Sequence, residues 1–143
     1  MKGRFNQIRN TLLGLLTASA FLTHGQEIKL TIENVKDEVG TLWVALYNSE
    51  DQFMKTRFQS LKLTPQKGQV VGVFQDVPPG IYAVSVIHDT NNNRELDKNA
   101  FGIPKEGFGF SNNAMGTFGP PDFKDTSFEY PDKKEIVIKL KYM

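Results

Sequence analysis

Short runs of alternating apolar and polar residues, broken by glycine and proline, constrain this chain more than any other feature. Successive side chains of a β-strand point to opposite faces, so alternation marks a strand with one buried side. Residues 27–33 place Ile28, Leu30 and Ile32 on one face, and residues 135–141 do the same with Ile136, Ile138 and Leu140. Residues 40–47 are apolar on both faces and predict a central, well-buried strand. Residues 58–63 read as a short edge strand closed by Pro65 and Gly68, residues 69–74 and 80–87 as two more, and residues 126–130 as a further short one. Pro78-Pro79-Gly80 is a turn, because proline fixes φ and glycine accepts φ > 0. Asn48 or Ser49 is expected to cap one helical turn through Phe53 and Met54 that plugs an end of the fold. No long helical period follows residue 27. These signals predict an all-β chain, an antiparallel β-sandwich of about seven strands. Its expected core is Ile28, Leu30, Ile32, Trp43, Ala45, Val84, Val86, Ile136, Ile138 and Leu140, with the Trp43 indole at its centre.

The first 25 residues belong to a different pattern. Lys2, Arg4 and Arg9 precede an uncharged, mostly apolar run from Thr11 to Leu22, then Thr23-His24-Gly25. That order is the one of a secretory signal peptide. The run falls short of the roughly 20 apolar residues that span a bilayer. Cleavage before Gln26 puts Thr23 and Gly25 at the recognition positions, with Ala18 and Ala20 as an earlier alternative. The division expected is a signal in residues 1–25 and a single β-sandwich domain in residues 26–143, exported to the periplasm or the exterior, with no transmembrane segment left after cleavage. Three of the 17 basic residues and none of the 16 acidic ones lie before residue 26, so residues 26–143 carry 14 against 16, a net charge of −2. Such a balance offers no basic patch and argues against a nucleic-acid partner. With no cysteine, neither lipid attachment nor a disulfide is available.

Alternation fails between residues 89 and 125. A stretch this long without regular structure is usually functional or flexible. Asp89-Thr90-Asn91-Asn92-Asn93-Arg94-Glu95-Leu96-Asp97 places oxygen-bearing side chains at every second position. That spacing lets Asp89, Asn91, Asn93 and Asp97, with a backbone carbonyl near Glu95, converge on a hard cation, and calcium is the candidate ion. Glu106 is a candidate extra ligand. Arg94 stands where calcium loops favour glycine, and Ala100 where an EF-hand places its bidentate glutamate, so the loop is not an EF-hand. The competing reading is an Asn-rich surface turn whose amides cap the backbone.

His88 adjoins this loop. Zinc needs three or four ligands, and residues 26–143 hold no cysteine and no second histidine. Ser85, three residues away, faces the other side of the strand, so no nucleophile–histidine pair forms there. His88 is expected to hydrogen-bond a loop carbonyl. Farther on, glycines alternate with phenylalanines through Gly107-Phe108-Gly109-Phe110. Phe108 and Phe110 point the same way when extended, either covering the end of the sandwich or, with Asn112, contacting a sugar or peptide. No phosphate-binding loop is present.

Three segments together resemble a known family: Pro78-Pro79-Gly80-x-Tyr82-Ala83, then His88-Asp89-x-Asn91-x-Asn93-x-x-Leu96-Asp97, then residues 102–114. They are similar to the small exported bacterial proteins grouped as domain of unknown function 2141. The resemblance implies a secreted or periplasmic β-sandwich and supplies no activity. The turn around Asp76-Val77-Pro78-Pro79-Gly80 is also similar to one in transthyretin-like and Cna-B-like modules, which are mostly non-catalytic. A transthyretin-like or immunoglobulin-like Greek key is therefore the expected topology.

Three functional readings follow. The first is a non-enzymatic binding or accessory module of the cell envelope, with an unknown ligand or envelope protein as partner and with calcium as a candidate stabiliser. The second is a structural protein that associates through an edge strand. The third is a hydrolase using His88, Asp89 and Glu106 as acid–base groups.

Overall fold

The computed structural model describes residues 26–143; the signal-like stretch and its cleavage positions lie outside the described residues. Eight strands form in the order β1 (Ile28–Val35), β2 (Thr41–Tyr47), β3 (Gln59–Leu63), β4 (Gly68–Phe74), β5 (Gly80–Asp89), β6 (Gly107–Phe110), β7 (Phe128–Tyr130) and β8 (Glu135–Lys139). Among the described residues, helical structure is confined to a 3-10 turn, Ser111–Asn113, and one short turn, α1 (Phe123–Thr126). Residues 50–56 form hydrogen-bonded turns instead of the expected capped helical turn, with the Phe53 N–H donating to the Glu50 carbonyl.

The strands divide into two sheets. A three-stranded sheet has the order β4-β1-β8, and a five-stranded sheet has the order β3-β2-β5-β6 with β7 beside the first residues of β5. All pairs are antiparallel except β1 with β8, which run parallel. Beyond β8 the chain leaves that sheet. The Lys141 and Phe108 backbones exchange hydrogen bonds, so the chain's end seals the three-stranded sheet to β6.

Between the sheets lie Ile28, Leu30 and Ile32 of β1, Leu42, Val44 and Leu46 of β2, Phe74 of β4, Val84 and Val86 of β5, and Ile136, Ile138 and Leu140. Each large side chain taken out of water there contributes about 1.5–3 kcal/mol. Two expected core residues do not belong to it. Because β2 is apolar on both faces, alternation could not say which face is inner, and a shift of one residue inverts every side chain. The structure puts Leu42, Val44 and Leu46 inside. Trp43 and Ala45 stand on the outer face, across from Ile87 and Ser85 of β5.

The long segment after β5 is not structureless either. Its Gly-Phe-Gly-Phe run is β6, paired with residues 85–88. A Cβ on Gly109 would lie 2.6 Å from the Ile138 Cγ2, so only glycine lets this strand approach β8.

Candidate functional site

The loop that follows β5 is shaped by two buried carboxylates. Asp89 ends β5 on the outer face and is 0% exposed. Its Oδ2 accepts the Trp43 indole N–H at 3.0 Å and the Arg94 N–H at 2.8 Å, and its Oδ1 accepts the Asn93 N–H at 3.1 Å. Glu106, just before β6, is 4% exposed. Its Oε1 accepts from the Thr90 N–H and from the Thr90 hydroxyl, both at 2.9 Å, and its Oε2 accepts the Asp97 N–H at 3.1 Å. One carboxylate thus turns the chain over at residues 93–94, and the other ties together the two ends of residues 90–97.

Smaller bonds complete the turn. The Asn93 N–H donates also to Asn91 Oδ1 at 3.3 Å, and the Glu95 N–H to Asn93 Oδ1 at 3.0 Å. The Asn91 and Asn93 amides donate to the two oxygens of Asp97 at 2.5 and 2.9 Å. The Thr41 hydroxyl donates to Asn92 Oδ1 at 2.7 Å. Asn92 and Arg94 take φ of 58° and 65°, the left-handed region. Arg94 therefore adopts the backbone that glycine provides at the same place in calcium loops. Gly40, with φ of 79°, lets the β1–β2 connection rest on this loop, since a Cβ there would lie 2.0 Å from the Asp89 carbonyl oxygen.

The sequence's candidate ligands Asp89, Asn91, Asn93, Glu95 and Asp97 thus share one loop. Glu106 was legible only as an extra ligand, yet it is the loop's second anchor. Among the described residues, no three His, Cys, Asp or Glu side chains gather as a metal site. The oxygens of Asp89 and Glu106 already face N–H and O–H donors.

His88, Asp89 and Glu106 do not form one polar centre. His88 is 0% exposed and faces the interior opposite Leu42, whereas Asp89 faces outward. His88 Nε2 lies 2.8 Å from the Val39 carbonyl, the loop carbonyl its position called for, and Nδ1 lies 2.8 Å from the Tyr142 hydroxyl. A ring carrying its proton at Nε2 satisfies both contacts, with Tyr142 as donor to Nδ1 and as acceptor of the Lys36 N–H, and Asp37 Oδ1 lies 3.7 Å from Nε2. Burial, opposed by that backbone bond and reinforced by Asp37, raises the Tyr142 pKa above its ordinary 10.0.

Phe108 and Phe110 are 8% and 7% exposed, which removes them as surface contacts. They stand edge to face, and Phe110 also meets Phe53, which packs on Tyr47 and Phe123. These rings cover one side of the five-stranded sheet's outer face. Asn112 is exposed but holds structure, its amide donating to the carbonyls of Asp125 and Ser127.

The rest of that outer face forms a groove of about 240 Å³, floored by Ala45 and Ser85 and walled by Trp43, Met54, Arg57 and Arg94. The Lys62 ammonium and the Arg94 guanidinium each lie 5.6 Å from the centre of the Trp43 ring. Lys55 also lines the groove. Three cations, Lys55, Arg57 and Arg94, thus line one groove of a domain whose net charge is −2. A larger opening of about 470 Å³ lies between β6 and the chain's end, where the side chains of Asn34 and Asn113 already bond the Leu140 carbonyl and the Lys139 N–H.

Two facing sheets and a carboxylate-anchored loop define a small β-sandwich with one elaborated end. The chain belongs to the family DUF2141, described as an uncharacterized protein conserved in bacteria, which matches residues 30–138. No curated protein and no solved structure matches it. Among the described residues no helix is long and apolar enough to cross a membrane.

Proposed function

We propose that this chain is an exported, non-enzymatic binding or accessory module of the bacterial cell envelope, and that the segment around residues 89–106 is its recognition region. One observation carries this reading: two buried carboxylates, Asp89 and Glu106, direct their hydrogen bonds to the shape of an exposed loop. Removing a carboxylate from water costs several kcal/mol, which its hydrogen bonds must offset. A loop held in this way presents Asn91, Asn92 and Arg94 in fixed positions, as binding loops on rigid scaffolds do. The basic run, apolar run and small residues at the start of the sequence support export. The reading is tested by sedimenting the purified chain with isolated bacterial envelopes. Wild type is expected to co-sediment, and Glu106→Ala, with its loop loosened, to do so less. A wild-type chain that stays in the supernatant overturns the proposal.

A second reading adds weak calcium binding at residues 89–97. The left-handed backbone at Arg94 and the alternating oxygens favour it. A ligand that binds only the folded state raises the unfolding midpoint with concentration. Millimolar calcium should then raise it in wild type and not in Asp97→Ala; an unchanged wild-type midpoint removes the ion from the account.

A further inference from the structure

We infer that the groove on the outer face of the five-stranded sheet binds an anionic oligosaccharide, with Arg57, Lys62 and Arg94 as the charge-recognising groups and the Trp43 indole, over which Lys62 and Arg94 lie, as its aromatic wall. The ring is fixed in place, because its indole N–H is held by the buried Asp89. Ala45 and Ser85 leave the floor beside it shallow, so a flat molecule can approach.

The cations come from three separate segments: the turn after β2, the edge strand β3 and the loop after β5. Among the described residues neither Lys55, Arg57, Lys62 nor Arg94 forms an ion pair. In a domain with more acidic than basic residues, a groove lined by Lys55, Arg57 and Arg94, with Lys62 over its Trp43 ring, selects an anion. A carboxylate or sulfate seated in the groove would make charge-assisted bonds to the guanidinium groups that line it, Arg57 and Arg94.

The backbone decides against a peptide strand. Trp43 lies in the middle of β2, which is paired with β3 on one side and β5 on the other, so the groove offers no free N–H or C=O for strand addition. Recognition here must come from side chains on a face: an aromatic ring, hydroxyls and cations. That set suits a sugar ring carrying an acid group. The single indole argues against a nucleic acid, which stacks successive bases on several rings.

Trp43 is the chain's only tryptophan, so its fluorescence reports this groove directly. The full chain is titrated with oligogalacturonate, with maltohexaose as the neutral sugar, and with polyglutamate and a single-stranded oligonucleotide as the other anions. A saturable change in emission is expected with oligogalacturonate, weakened by salt and absent with maltohexaose. Lys62→Gln/Arg94→Gln, with an unfolding midpoint near wild type, is expected to raise Kd about tenfold or more. Lys67→Gln, outside the groove, is expected to leave it unchanged. A silent tryptophan, an equal response to maltohexaose, or tighter binding of polyglutamate or the oligonucleotide overturns the inference. This inference rests on the binding-module reading, and the two fail separately. Envelope sedimentation that persists while oligogalacturonate has no effect discards the glycan alone, whereas loss of sedimentation discards the module.

Discussion

Replacing Glu106 with alanine tests whether one buried carboxylate holds the loop. The change removes the acceptor of the Thr90 N–H, the Thr90 hydroxyl and the Asp97 N–H. An unsatisfied buried donor costs about 1–3 kcal/mol, and bonds to a charged acceptor lie at the upper end. Thr90 and Asp97 are half-buried, so water recovers part of the loss. The expected destabilisation is about 3 kcal/mol, a large share of the roughly 5–15 kcal/mol typical of a domain. At about 4 °C per kcal/mol for a chain of this size, the midpoint falls by about 12 °C. Glu106→Gln keeps one acceptor oxygen but turns an NH2 toward a donor, for about half the effect. Thermal and urea unfolding measure both variants, and amide exchange locates the change, with protection lost first at Thr90 and Asp97. If Glu106→Ala unfolds within about 0.5 kcal/mol of wild type, the range of ordinary surface substitutions, the carboxylate does not hold the loop.

Three further outcomes are expected. Gly40→Ala forces a Cβ against the Asp89 carbonyl at a φ of 79°, and should destabilise by at least about 2 kcal/mol in urea unfolding; a neutral effect refutes the packing of the two loops. Phe74→Ala, at a fully buried site between the sheets, should cost about 3–5 kcal/mol, and less than about 1 would mean that the sheets close over the gap. Tyr142 and Tyr82 both have a pKa raised above 10.0, chiefly by burial, so the folded state holds their protons more tightly than the unfolded chain. That stability is intact below pH 10.0 and is lost as pH rises through the raised values, a fall that Tyr142→Phe should reduce in urea unfolding between neutral and alkaline pH.

Strands with one polar face were legible from sequence alone: alternation located β1 and β8 and put their apolar residues inside. Where alternation carried no information, the reading failed in a specific way. In β2 both faces are apolar, and Trp43, the residue that looked most like a core centre, lies on the outer face. The strand β6 hid within a glycine-rich stretch, because its inward positions are glycines set by the approach of β8 and not by any apolar signal of their own. The loop's oxygen-bearing residues were recognisable by spacing. Their anchoring by Glu106 was not, since it depends on a pairing across residues 90–106 that no local pattern contains. The basic groove is the clearest case: its members are scattered from Trp43 to Arg94, and only the pairing of β2 with β3 and β5 brings them together.

The parallel pairing of β1 with β8 also governs when this chain can fold. Leu30 and Ile32 acquire their neighbours on that side only when the strand ending at Lys139 arrives, and the seal at Lys141 comes later still. Contacts between distant residues require a large loop to close first, so such a topology folds slowly. As the polypeptide emerges in synthesis, β1 therefore has a partner only on the β4 side until β8 has been made. That delay leaves one edge of β1 unpaired until β8 arrives, and the Phe108–Lys141 bridge then acts as the latch that closes the sandwich.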